Sequence, residues 1–304
     1  MNERLNHLLK NPKIILAHVM MLPGIRTWFD DVSYVRKIYY LYTGRRLNLS
    51  NPQSFNEKLN WEKIYWRNPL MSRLVDKYDA KAYVAEKIGQ EYVVPNYGVW
   101  GSPEEIPFDR LPQQFILKCT HNSGTGMYIC RDKAKMDVES VKRGLRKGLK
   151  ERFFMNAREW AYKDARPRII ADKLLDDHSG HEIQDYKFLC FDGKPKYVYL
   201  SIKGKNVYEN YYDMDFKPVD INHQFPRQVP EFGKPENFEK MKQLVEKLSE
   251  GFPHVRIDFF NVEGHVYFAE FAFYDWAGIR PFETYEMDLA LGREMTLPEE
   301  WKTE

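Results

Sequence analysis

Residues 255–273 read VRIDFFNVEGHVYFAEFAF. Two runs of alternating side chains flank Asn261-Val262-Glu263-Gly264, and alternation about a Gly-bearing turn predicts a β-hairpin. Arg256 and Asp258 are two apart on the first arm and therefore share a face. On the second arm Phe268, Glu270 and Ala272 alternate with Tyr267, Ala269 and Phe271, which sets Glu270 on the face of Phe268. A strand pair that aims an Arg and two carboxylates at one place suits Mg²⁺ and a phosphate. The hard cation takes carboxylate oxygens, and the guanidinium neutralises a phosphoryl group. The competing reading is a solvent-facing hairpin with ordinary surface charges.

Residues 114–130 read QFILKCTHNSGTGMYIC. The apolar run Phe115-Ile116-Leu117 ends at Lys118, a loop of small residues follows, and Met127 to Cys130 reads as a returning strand. Glycines let backbone N–H groups approach an anion, hydroxyls add donors, and Lys118 offers a point charge to phosphate. The Lys precedes the glycines and strand signals flank them, unlike a Walker loop. A plain Gly-rich hairpin turn is the alternative.

Taken in order, these segments resemble the ATP-grasp superfamily. Asp76-Lys77 resembles its early Lys before a helix. Lys118 with His121, Asn122, Ser123, Gly124, Thr125 and Gly126 resembles its second Lys and phosphate-covering loop. Ile169 to Leu175 resembles the strand whose backbone holds adenine, so Asp172, Lys173 and Leu175 are nucleotide contacts on that resemblance. Arg256, Asp258 and Glu270 resemble the triphosphate Arg and two Mg²⁺ ligands. The order and spacing hold over roughly residues 76 to 280.

The resemblance narrows on longer motifs: NLSNPQSFNEKLNWEKIYWRNP (48–69), DKY (76–78), FILKCTHNSG (115–124) and DYKFLCFDGKPK (185–196). These resemble the TupA-like ATP-grasp family, from about Tyr39 onward. That family is associated with teichuronopeptide and cell-surface polysaccharide synthesis. The resemblance implies an α+β, ATP-grasp fold with two lobes sandwiching ATP and a helical N-terminal region. It implies ATP and Mg²⁺ as cofactors and the joining of a sugar acid or glycan to an amine, an amino acid or amino sugar. Arg256 and Lys187 take catalytic roles on this reading. Lys187 contacts phosphate or substrate, or else pairs with Asp185 on the sheet. Arg280, after the hairpin, falls where related ligases bind their acceptor, and Arg45 and Arg46 are candidates for a polyanionic sugar. One position departs: where such ligases place Asn two residues after the second carboxylate, this chain has Ala272. Asp275 or water is then the replacement ligand. A sugar kinase and a non-catalytic nucleotide-binding scaffold are the competing functions.

The expected divisions are a helical region 1–75, a preceding segment 76–112, a lobe 113–175 with the Gly-rich loop and a lobe 176–304 with the hairpin. Ser54 and Glu57 have capping-box spacing, and Asp79 to Gly89 reads as a helix. Further hairpins are expected over Asp185–Ile202, turning at Asp192-Gly193, and over Asn206–Val219. Helices are expected over Asp137–Trp160 and Asn237–Glu250.

The 304 residues carry a net charge of +2, which gives no electrostatic case for nucleic acid. Aromatics reach 15%, and Tyr-rich runs such as Tyr211-Tyr212 suit sugar stacking or half-buried strands. With Arg227 they extend the list of glycan contacts. Cys119, Cys130 and Cys190 form no CxxC and read as buried thiols in a reducing compartment. Ile14 to Ile25 is apolar but too short to span a bilayer. It reads as a packed helix or as a weak membrane-surface contact. The expected site of action is the cytoplasm, with peripheral contact at the inner membrane face as the variant.

Overall fold

The computed structural model describes residues 12–176, 183–203, 207–223, 225–227 and 232–299. The first eleven residues of the expected N-terminal region, and Asn206 at the start of the second expected hairpin, lie outside them. The N-terminal part is helical: α1 (Pro12–Met20), α2 (Asp31–Thr43), α3 (Phe55–Tyr65) and α4 (Pro69–Val75). Asp30 caps α2 by accepting from the Ser33 N–H at 2.9 Å. Ser54 and Glu57 form the expected capping box at the start of α3. Ala17 and Met20 of α1 pack on Tyr34, Ile38 and Leu41, while Ile15, Leu16 and Val19 stay exposed. Among the described residues no helix is long and apolar enough to cross a membrane.

The first sheet is four-stranded, in the order β1-β4-β2-β3. Its strands are β1 (Asn96–Trp100), β2 (Phe115–Cys119), β3 (Met127–Cys130) and β4 (Ile169–Lys173), all antiparallel. The segment 76–112 thus contributes α5 (Asp79–Ile88) and an edge strand to this sheet. The helix α6 (Val138–Leu149) buries Val141 and Leu145 against Phe115, Leu117, Ile169 and Ala171. A short helix, α7 (Phe154–Ala157), follows it.

The second sheet has six strands in the order β10-β9-β5-β6-β7-β8. These are β5 (Asp185–Phe191), β6 (Lys194–Lys203), β7 (Val207–Asp213), β8 (Pro218–Val219), β9 (His254–Val262) and β10 (His265–Ala272). The two-residue turns Asp192-Gly193 and Glu263-Gly264 have positive φ at both positions. That is the type I′ geometry that matches strand twist. Helices α8 (Phe238–Ser249) and α9 (Tyr285–Arg293) complete the described elements.

Register places the chemistry. One rung of the sheet reads Glu270, Asp258, Lys187, Tyr199, Tyr211, and the next reads Ala272, Arg256, Leu189, Tyr197, Asp213. Directly paired residues share a face, so the charged groups gather on one side. On the other side Val255, Ile257, Phe259, Phe188, Cys190, Val198 and Leu200 form the main core, with Phe238, Met241 and Val245 of α8. Each such fully buried large side chain contributes ~1.5–3 kcal/mol.

One expectation needs correcting. Phe268 and Glu270 do not share a face. Phe268 pairs with Phe259 and Glu270 with Asp258, so Ala269 is an extra residue, a β-bulge. The bulge resets the alternation, leaving Phe268 packed on Phe271 at 4.8 Å between centroids. It turns Glu270 to the side of Asp258 and Arg256.

Candidate functional site

Arg256 is the centre of the charged face. Its Nε and Nη2 donate to both oxygens of Asp258 at 2.8 and 2.9 Å, its Nη2 also to Glu270 at 2.7 Å, and its Nη1 to Asp275 at 2.8 Å. One cation therefore serves three carboxylates, a local excess of negative charge. Although burial disfavours its charge, Asp258, Tyr199, Asp275 and Glu270 hold the guanidinium well above its ordinary pKa. Burial pushes the Asp258 carboxyl up to about 7, against the pull of Arg256. Asp275 is held below its ordinary value despite burial, chiefly by Arg256. Its Oδ2 is buried with no hydrogen-bond partner. Asp258 is buried, whereas the Glu270 side chain is 41% exposed and opens to a cleft. Lys187 pairs with Asp185 and lies 3.5 Å from Ser201 Oγ.

Lys118 of β2, with Lys81 of α5 and Lys77 just before that helix, presents cations to the same cleft. Asp76 accepts from the N–H groups of Tyr78 and Asp79 and from the Thr120 hydroxyl at 2.7 Å, which fixes the backbone at Lys77. The Lys77 ammonium donates to the Asn122 carbonyl. Burial lowers its pKa, and Glu270 opposes that shift. Asp172 bridges Lys118 and Lys81, each at 3.0 Å. His121 and Asn122 are buried and anchor the loop: Asn122 Nδ2 donates to Gly148 O at 3.1 Å, and His121 Nε2 lies 3.2 Å from Glu151 O. Ser123 and Gly124 are exposed, with Thr125 and Gly126 half-buried. Gly126 is required where it stands, because a Cβ there would lie 2.5 Å from Cys119 Sγ and 2.9 Å from Gly148 Cα.

The strand β4 is internal to its sheet, so its peptide groups pair with β1 and β2, and Lys173 N donates to Pro95 O at 2.8 Å. The ladder ends at Lys173, and Leu175 lies just beyond it.

Together these residues enclose a cavity of ≈ 340 Å³, with Lys77, Lys81, Lys118, Ser123 and Gly124 on one side and Asp185, Asp258 and Glu270 on the other. A second cavity of ≈ 940 Å³ holds Arg45 and Arg280. Arg45 stacks on Tyr285 at 3.8 Å, and Arg280 lies between Phe225 and Trp276 at 3.8 Å from each ring. Arg46 stands apart, lining a separate surface pocket with Arg36 and Tyr40. Tyr211 and Tyr212 are not glycan platforms. Both are 1% exposed, because they lie on opposite faces of an internal strand and fill a core on each side. Arg227 is tied to the Val219 carbonyl and to Asp220.

Sequence reasoning missed Lys81, although its place four residues after Lys77 is helical spacing. It also missed Glu209, whose carboxyl burial pushes up to about 7 against Arg280.

The donor set fits Mg²⁺. Among the described residues no three His, Cys, Asp or Glu side chains form a cage. Mg²⁺ needs none, since it takes one or two carboxylates with water and substrate phosphates. Asp258 and Glu270 are paired across β9 and β10 and would supply those two carboxylates. The lysines opposite fit a polyphosphate.

A sequence profile described as TupA-like ATPgrasp matches residues 57–296. No curated protein matches the chain. Among solved structures, the chain is similar to a D-alanine–D-alanine ligase from Helicobacter pylori, at 14% identity and a TM-score of 0.39, over 74% of this chain and 60% of that one. It is similar to the D-cycloserine synthetase DcsG, at 12% identity and 0.40, over 74% of this chain and 71% of that one. A Bacillus anthracis D-alanine–D-alanine ligase complexed with ATP gives 15% identity and 0.40, over 74% and 68%. The chain spans 60% of the length of the Helicobacter ligase.

Proposed function

Because the chain belongs to the TupA-like ATP-grasp family, we propose that it is an ATP-dependent, ADP-forming ligase that joins a carboxylate to an amine. One observation carries this reading: three lysines and an exposed Ser-Gly loop face three carboxylates across a cavity of ≈ 340 Å³. Such a cleft neutralises a triphosphate on one side and holds its counter-cation on the other.

In this reading Lys77 and Lys118 neutralise the α- and β-phosphates. The loop from Ser123 to Gly126 closes over the γ-phosphate, hinged on the anchored His121 and Asn122. Adenine lies against the end of β4, at Asp172, Lys173 and Leu175. Asp258 and Glu270 hold Mg²⁺, which when bound offsets charge on the phosphates. The substrate carboxylate attacks the γ-phosphorus, the bond to ADP breaks, and an acylphosphate results. The amine nitrogen then attacks the acyl carbon, phosphate leaves, and a proton is lost as the amide forms. Arg256 and Lys187 stabilise the charge that develops between the two cavities, and catalysis is mainly positioning and electrostatics.

The larger cavity takes the acid and the amine, with Arg45 and Arg280 for the acid. The proposed substrates are a sugar acid and an amino acid or amino sugar of cell-surface polysaccharide synthesis, joined in the cytoplasm before export. The exposed Ile15, Leu16 and Val19 suit peripheral contact with the inner membrane face.

Calorimetry tests the nucleotide site: MgATP binds the wild type, and Lys118→Ala and Glu270→Ala each weaken it. No MgATP binding, or unchanged affinity in both variants, removes the reading. An ADP-release screen of uronic acids against amino acids and amino sugars tests the chemistry. A ligase frees phosphate only when acid and amine are both present, whereas a kinase leaves phosphate on the sugar.

A further inference from the structure

Directly after β10, Trp276, Ala277 and Gly278 adopt left-handed backbone in succession, at φ 47°, 54° and 57°. Left-handed backbone is unfavourable for a non-glycine residue and persists only where its surroundings over-determine it. The surroundings here are one face of α3. Asn56, Asn60 and Lys63 fall at i, i+4 and i+7, so they stack along one stripe of that helix. Each donates to a carbonyl of the turn: Asn56 Nδ2 to Arg280 O at 3.0 Å, Asn60 Nδ2 to Gly278 O at 2.6 Å, and Lys63 Nζ to Ala277 O at 2.5 Å. All three side chains are buried. The fit is close as well as polar, since a Cβ on Gly278 would lie 2.9 Å from Leu59 Cβ and 3.0 Å from Asn60 Nδ2.

The turn carries a functional group at each end. Asp275 precedes it and is held on Arg256 at 2.8 Å. Arg280 follows it and stacks on Trp276 over the larger cavity. We infer that Asn56, Asn60 and Lys63 are positioning residues. They clamp the left-handed turn so that Asp275 stays on Arg256 while Arg280 stays at the mouth of the substrate cavity. The stripe touches none of the proposed nucleotide contacts, and Arg256 keeps its own bonds to Asp258 and Glu270 when Asp275 shifts, so release of the clamp falls chiefly on Arg280 and the substrate side. The kinetic half of this inference rests on the ligase reading above, and the conformational half does not.

The test uses Lys63→Met and Asn60→Leu in the full chain, each also made in a Trp276→Phe background. Releasing the clamp unstacks Trp276 from Arg280. Each variant then shifts the fluorescence emission in the wild-type background, and the shift disappears when Trp276 is Phe. MgATP affinity stays within twofold, while kcat/KM for the acid substrate falls at least tenfold with the KM for ATP unchanged. The inference is overturned if neither variant produces a Trp276-dependent shift. It is equally overturned if MgATP affinity falls in parallel with that for the acid, the mark of general loss of structure. Absence of MgATP binding by the wild type would sink the ligase reading, and the fluorescence result would still decide this one.

Discussion

The two sheets meet at one cleft but hold their charges differently. On the side of the four-stranded sheet, Lys118 of β2, Lys81 of α5 and Lys77 just before α5 sit at the ends of flexible stems, sharing Asp172 and a loop carbonyl. The loop at its edge is exposed at Ser123 and Gly124. On the six-stranded sheet Asp258, Glu270 and Asp275 are locked on one guanidinium, and the rungs beneath them are buried on both faces. One side of the cleft is therefore adjustable and the other preset. Cations on mobile stems can follow a phosphate chain, whereas carboxylates must already be in place if an ion is to bind without reorganisation.

This contrast makes substitutions on the two sides differ in kind. The largest effect is expected from Arg256→Ala. It leaves three carboxylates without their shared cation and should lower folding stability by about 3–5 kcal/mol, read as a fall in the urea midpoint. Stability within about 1 kcal/mol of wild type would break the comparison, because the preset side would then not depend on its lock. Lys118→Ala should do the converse. It should cost about 3 kcal/mol of MgATP binding, roughly a hundredfold in Kd. It should change stability by less than about 1 kcal/mol, since the Lys118 pair with Asp172 is partly exposed and Lys81 remains to neutralise that carboxylate.

Acid sharpens the comparison further. His254 lies on the same charged face, one rung beyond Arg256, with its ring 4.7 Å from that of Phe55 and 5.0 Å from that of Phe191. Burial lowers its pKa to about 4. The folded protein keeps it neutral while the unfolded chain protonates near 6.5, so its contribution is complete above pH 6.5 and is lost as pH falls towards 4. Between pH 7 and 5 this single group should remove about 2 kcal/mol of stability. Urea unfolding at those two pH values should show a smaller loss in His254→Phe, and an equal loss would exclude His254 as the source. The smallest effect is expected at Ala277. Ala277→Gly relieves a left-handed residue at some cost in unfolded-state entropy, a net gain of about 0.5–1 kcal/mol. A lowered melting temperature would mean that the turn is not strained.

Legibility followed locality. The hairpins were readable because alternation and turn chemistry lie within a few residues: Asp192-Gly193 and Glu263-Gly264 declare their turns directly. The capping box of Ser54 and Glu57 is equally local. The lysines and the Gly-rich loop were readable as chemistry, but their distribution was not. That His121 and Asn122 anchor the loop depends on carbonyls of Gly148 and Glu151, more than twenty residues later. The pairing of Asp275 with Arg256, and the stripe on α3 that meets residues 277–280, join segments that no local pattern connects. The Tyr211-Tyr212 pair was ambiguous for a related reason. Tyr is common both on sugar-binding surfaces and in packed strands, and only the position of β7 inside the sheet distinguishes them.

The bulge at Ala269 has a consequence for descent. From that residue on, β10 runs half a period out of step with its own beginning, so the identity of Glu270 matters no more than its count from the turn. Were β10 to keep Ala269 but pair without the bulge, Ala269 would lie opposite Asp258, the Glu270 carboxylate would swing into the apolar core beside Ile257 and Phe271 would come out opposite Arg256, with every acid in the chain still present. Relatives that keep all these acids can thus still differ in whether the site exists, and an alignment that scores letters without that phase slip would not tell them apart.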